Sequence, residues 1–333
     1  MTDGPARRVT SADVARIAGV SRATVSYVLN DTPRQTISGA TRARVLDAAA
    51  TLGYAPSAAA RTLRTGRSDV VLCLLPDWPI GQEVGSLLTH LSTEFAAAGL
   101  TFVVHPGTPA DRPGGDLWKA ITPAAVLAFT GFSDAGIAAL RAAGVALVVA
   151  LLGPGPRPHR ELQATQERIG RLQAAHLADA GHLRIGYAYP DDARVRIFAE
   201  PRLDGVRAGC AERALPEPEV HTVAVDAEAA AVAVRAWRSA GVTAVCAYND
   251  EVALAVLAGM RDTGLDAPAG LALVGVDDLP AARLAAPALT TVTTDQRAVA
   301  AHLAATVVAA VRGGERPVLD AAAVVRLVRR AST

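Results

Sequence analysis

At 333 residues the chain has room for a head of ~60 residues and a body of about 265, a length that usually divides into two cores. Hydrophobic residues reach 51% and aromatics only 4%, so the core is mostly Ala, Val and Leu, and no apolar run is long enough to span a membrane. The net charge of +1 hides an asymmetry: residues 1–67 hold ten Arg against four Asp, a net +6, and the other 266 residues sum to −5, as suits a phosphate-binding head on a mildly acidic body.

The opening "MTDGPARRVT" lacks the apolar centre of a signal peptide, so a cytoplasmic chain is expected. Residues 13–30, "DVARIAGVSRATVSYVLN", are two short apolar patterns on either side of a glycine. Val14, Ile17 and Ala18 share one helical face; Val25, Val28 and Leu29 share another. Gly19 suits a left-handed helix end, and Ser21 suits the cap of the next helix. Helix, tight turn, helix is the plan of a DNA reader. The second helix offers Arg22, Ala23, Thr24, Ser26 and Tyr27, types that pair with guanine or touch a thymine methyl in the major groove.

"VTSADVARIAGVSRATVSYVLN" and "ISGATRARVLDAAATLGYAPSAAARTLRTGRS" resemble the DNA-binding head of the lactose-repressor/galactose-repressor family, densely from about residue 9 to 68. The resemblance implies a three-helix head (1–56), its third helix running from about 38 to 52 and ended by Gly53. It implies double-stranded operator DNA as partner, a homodimer, and DNA contacts from Thr10, Ser21 to Thr24, Ser26, Tyr27 and Asn30. The loop "DTPRQT" (31–36) is expected near phosphates. Residues 57–68 hold a helix former too short to stand alone in water. In the family this is the hinge helix, which pairs across the dimer in the minor groove. Leu63 matches its wedging leucine and Ala60 the small residue where two hinges meet, with Ser57, Arg61 and Arg64 alongside.

From residue 69 strand and helix signals alternate. Apolar runs at 70–75, 101–105, 124–129 and 145–152 form one strand series; 184–189, 219–225, 242–248 and 271–276 form another. Helical patterns at 84–98, 168–180 and 227–240 fall between them, so the body reads as two doubly wound, mostly parallel α/β lobes. The resemblance implies a periplasmic-binding-protein-like body with chain crossings near 160–165, 290–295 and 315–323. The lobes are then 69–162 with 293–318, and 163–292 with 319–333. Cys73, Cys210 and Cys246 lack C-x-x-C spacing and are expected buried and reduced.

Ligands of such sheets bind beyond the carboxyl ends of strands. Arg202, Asn249 and Asp277 stand there and match the family's effector contacts, implying a sugar-like, nucleobase-like or other polar small-molecule effector. Asn249 or Asp250 is also a ready helix cap, and Asp278 a turn former before Pro280. The first lobe departs from the family. "PDWPIGQ" (76–82) replaces a longer aromatic loop, "GPGPRPHR" (153–160) stands where many sugar binders place an aspartate, and "QATQERIG" (163–170) replaces an Asp-Asn crossing. Trp78 is the candidate stacking ring there, with Phe129 and Phe132 assigned to packing, and an effector other than a plain hexose is expected. A transcription regulator, most simply a repressor, is the main reading. A ligand-blind regulator and an enzyme on an α/β body are the alternatives. No G-x-G-x-x-G follows the first strand, and no G-x-S-x-G, H-E-x-x-H or phosphate-loop lysine occurs, so neither catalysis, cofactor nor metal is expected.

Overall fold

The computed structural model describes residues 9–29, 36–54, 68–107, 117–129, 131–149 and 161–333. The chain forms two units, 1–68 and 69–333. The predicted hinge residues Ser57, Ala60, Arg61, Leu63 and Arg64, together with Asn30, loop residues 31–35 and the stretch 153–160, lie outside the described residues.

In the first unit, α1 (Ser11–Ala18), α2 (Arg22–Leu29) and α3 (Gly39–Thr51) enclose a core of small and β-branched side chains, Val14, Ala15, Ala18, Val25, Val28, Val45, Ala48 and Ala49. The Asp13 carboxylate accepts both the N–H (3.0 Å) and the hydroxyl (2.7 Å) of Thr10, closing the first turn of α1. Gly19 sits at φ +65 and ends α1. Ser21 Oγ accepts the Thr24 N–H at 3.1 Å and opens α2. Ser38 caps α3 through Thr41 N–H, and Gly53 at φ +60 follows its end. Ile17 corrects the expected inner face of α1. It is 49% exposed, because α1 turns Val14, Ala15 and Ala18 inward and leaves position 17 on the flank.

In the second unit the elements run β1 (Val70–Leu74), α4 (Gln82–Ala97), β2 (Thr101–His105), α5 (Leu117–Ile121), β3 (Ala125–Ala128), α6 (Asp134–Ala142), β4 (Ala146–Val149) and α7 (Glu161–Asp179). They continue as β5 (Ile185–Pro190), α8 (Arg196–Ala211), β6 (Glu219–Val223), α9 (Ala227–Ser239), β7 (Ala244–Ala247), α10 (Asp250–Asp262) and β8 (Ala272–Val276). Last come α11 (Pro280–Leu284), β9 (Thr290–Thr294), α12 (Gln296–Arg312), α13 (Ala321–Val324) and β10 (Val325–Val328). One sheet has the order β2-β1-β3-β4 and is all parallel; the other has the order β10-β9-β8-β7-β5-β6 and is parallel except for β9–β10. The two doubly wound α/β layers are those expected.

Strands β9 and β10 were missed because Thr-rich and Arg-interrupted runs carry a weak apolar signal. Helix α7 begins at Glu161, seven residues before the apolar pattern of 168–180, since its first turns bury Leu162, Thr165 and Gln166. After β9 the chain leaves the second sheet, packs α12 against α4, and returns through β10. All three cysteines are buried thiols.

Helices α7 and α8 touch backbone to backbone. A Cβ on Gly205 would stand 2.1 Å from the Glu167 carbonyl oxygen, and one on Gly170 would stand 1.9 Å from that of Arg202. Only glycine permits this approach, and it fixes where the first turns of α8 hold Arg202.

Candidate functional site

On the head, Arg22, Ala23, Ser26 and Tyr27 lie exposed on α2, and Thr24 is half-buried. Thr24 and Ser21 share a hydroxyl contact of 2.9 Å, and the Thr10 hydroxyl donates to Asp13, so these three shape the helix ends. The outward set on α2 is cationic, hydroxylated and free of acid, as a groove-reading helix requires.

In the body a cavity of about 500 Å³ is lined from both sheets. Its walls are the carboxyl ends of strands and the residues just beyond: Trp78 and Glu83 after β1, Phe129 after β3, Asp191 and Asp192 after β5, Asn249 after β7, Asp277 after β8 and Gln296 after β9. Thus Trp78, Arg202, Asn249 and Asp277 are brought together, while Phe132 packs elsewhere, against the cluster around Leu140. Trp78 meets Phe198 edge-on with centroids 4.7 Å apart and Phe129 at 5.1 Å, an aromatic corner shared by the two lobes.

Arg202 is 7% exposed and held on every side. Its Nε donates to Gln166 Oε1 (2.8 Å), one Nη donates to the Tyr248 carbonyl (2.7 Å), and the other lies 3.8 Å from Asp277. The guanidinium carbon sits 4.8 Å from the Tyr248 ring centroid. Gln166 comes from "QATQERIG", so the stretch that departs from the family's crossing motif supplies the partner of the arginine.

Asp277 and Asp278 adopt φ of +105 and +52, a costly backbone for side chains with a Cβ. The turn is pinned from below. Fully buried Asp250 accepts the Leu279 N–H (2.8 Å) and the Thr291 hydroxyl (2.7 Å), and Asp278 is paired with Arg283 and Arg330. Burial pushes the Asp250 carboxyl up to about 7, against the pull of those two hydrogen bonds. Burial also raises Asp277, and Arg202 opposes it. Asn249 has a divided role, because its Oδ1 caps α10 by accepting the Val252 N–H at 3.0 Å.

Sequence reasoning missed Glu83, Gln166, Tyr248 and Gln296. Glu83, in the first turn of α4, accepts an N–H of Gln296 at 2.7 Å. Burial raises its carboxyl to about 7, the charges of Asp277 and Asp278 add to this, and Gln296 and Arg202 offset it. The first lobe therefore does present an acid to the cavity, from α4. The signal available in the sequence was its position just past the end of β1.

Among the described residues no three His, Cys, Asp or Glu side chains form a metal cluster, and no helix is long and apolar enough to cross a membrane. Residues 10–57 match the bacterial regulatory proteins of the lacI family, and residues 174–333 match a periplasmic binding protein-like domain. The HTH-type transcriptional regulator GalR of Escherichia coli is 30% identical over 295 residues, covering 85% of this chain and 83% of its own. The structure of the transcriptional regulator CelR with cellobiose aligns with a TM-score of 0.65 at 26% identity, over 98% of this chain and 100% of that one. The lac repressor dimer bound to operator and the anti-inducer ONPF aligns at 0.75 over 98% and 99%; at 22% identity it speaks for the fold alone. With a helix-turn-helix head, a two-sheet body around a cleft, and relatives of this identity and coverage, the chain belongs to the lacI family of DNA-binding transcriptional regulators.

Proposed function

We propose that the protein is a dimeric repressor whose paired heads bind a pseudo-palindromic operator and whose operator affinity is set by a small ligand in the body cleft. The head, 1–56, reads bases through Arg22, Ala23, Thr24, Ser26 and Tyr27, with Thr10, Ser21 and Asn30 beside them. The hinge, 57–68, contributes Ser57, Ala60, Arg61, Arg64 and the wedge Leu63. The effector meets Trp78, Arg202, Asn249 and Asp277 between lobes 69–162 with 293–318 and 163–292 with 319–333. The chain works in the cytoplasm and catalyses nothing.

The observation that carries this reading is the cavity at the carboxyl ends of both sheets, with a strained Asp277 and a fully braced Arg202 in its wall. A ligand that differs in affinity for two arrangements of the lobes shifts operator affinity by the same factor as operator shifts its own. The related regulator CelR is known as a complex with cellobiose, which supports a small ligand as the controlling partner.

The test is selection of operator DNA from a random pool by the full chain, followed by footprinting across a salt series. A two-fold-related footprint whose affinity falls steeply with salt is expected. Leu63→Ala should weaken the operator complex roughly 10- to 100-fold and random-DNA binding little, because a wedge helps only where a base step opens. An unsymmetrical half-site, or equal losses on both DNAs, refutes the assignment.

A further inference from the structure

The cleft holds more acid than base. Both of its arginines already face a carboxylate. Arg194 donates to Asp192 through Nε (3.0 Å) and Nη2 (2.6 Å), and Arg202 lies against Asp277 with its other N–H groups on Gln166 and Tyr248. Glu83, Asp191 and Glu251 line the same cavity with no ion pair among the described residues. Glu83 is the most enclosed of the three. It shares the cavity wall with Asp277 and Arg202, whose charges reach it, and its own hydrogen bond is the amide of Gln296.

A carboxylate taken from water needs a cation or several donors, and Glu83 has one neutral donor. Apolar side chains make up one side of the remaining wall, Trp78, Val84, Leu87, Leu162 and Val252, beside the neutral polar groups Thr165, Gln166, Asn249, Thr294 and Gln296. A hexose presents hydroxyls around its whole edge, and those turned to the aliphatic side would have no partner. A ligand with one charged end and an apolar body meets both surfaces. We propose that the ligand of this cleft is a primary amine on an aromatic or alicyclic body, its ammonium received between Glu83 and Asp277 and its ring laid toward Trp78. The ammonium brings three N–H donors and the positive charge the cleft lacks. This rests on the reading of the cavity as an effector site.

The test is isothermal titration of the full chain with matched probes, phenethylamine against 2-phenylethanol and galactosamine against galactose, with operator affinity measured in parallel. Each amine is expected to bind at least about 10-fold tighter than its alcohol twin at pH 7, as for a charge-assisted contact in a partly buried site. In Glu83→Gln the amine should fall to the level of the alcohol. On the unmodified chain, phenethylamine affinity should drop about 10-fold between pH 8 and pH 6 as Glu83 takes up its proton, an arm that needs no variant to fold. Alcohols binding as well as amines, an amine preference that survives Glu83→Gln, or a flat pH series overturns the proposal. Galactose binding and shifting operator affinity while the amines do not would overturn it and leave the regulator reading intact. Silence to all four probes overturns it as well, and the footprint then decides separately whether the chain is an operator-binding dimer.

Discussion

Gly205→Ala tests whether the α7–α8 crossing is what holds Arg202 at the cleft. Alanine is the better helix former by about 1 kcal/mol, so on an open helix face the change would stabilise. At 205 the new Cβ would stand 2.1 Å from the Glu167 oxygen and 2.9 Å from its carbon, where ordinary contact begins at 3.4 Å. The shortfall of about 1.3 Å falls on backbone, so the helices must part. A separation near 1 Å takes the 2.8 Å bond from Arg202 to Gln166 beyond hydrogen-bond range. Overpacking costs about 1–3 kcal/mol and loss of a charged buried hydrogen bond about 1.5–3. Less the propensity gain, the expected loss is about 2–5 kcal/mol, a fall in Tm of roughly 5–15 °C. Thermal unfolding by circular dichroism measures it, with Gly85→Ala as control. A Cβ there meets nothing within 4 Å, and a gain of up to about 1 kcal/mol is expected. A Gly205→Ala protein melting at or above the unmodified one would refute the account of the crossing.

Glu83 holds its proton more tightly in the fold than in the unfolded chain, so its penalty is absent below pH ~4.5 and fully present above about 7. Glu83→Gln should therefore leave stability unchanged at pH 4 and raise it by about 1 kcal/mol at pH 8 after solvent screening, read from denaturant midpoints. Arg22→Ala should cost about 1–3 kcal/mol on the operator and relax preference at one base pair, seen by repeating the selection. Asp277→Asn, which keeps the side-chain shape at a strained φ, should remove the operator's response to ligand while ligand-free operator affinity stays within about two-fold, measured by titration with and without ligand.

Local chemistry determined the helix-turn-helix of the head, and the family resemblance supplied its third helix. Gly19, Ser21, Ser38 and Gly53 act on neighbours within one helical turn, and their caps and left-handed turns form as their residue types require. The alternation of apolar runs likewise determined the α/β layering of the body, because a buried parallel strand must be apolar on both faces. What escaped was whatever depends on distant partners. Ile17 has the hydrophobicity of a core residue but not the angular position. Strand β10 is a strand because it pairs with β9, not because Arg326 sits in an apolar run. Glu83 reads as a solvated first-turn acid, and only the fold sets it beside Gln296, 213 residues on, and across from Asp277. Gln166 meets Arg202 because two glycines let α7 and α8 touch. Helix caps and periodicity are properties of consecutive residues, whereas the charge balance of the cleft arises from which strand ends the chain crossings bring to face one another.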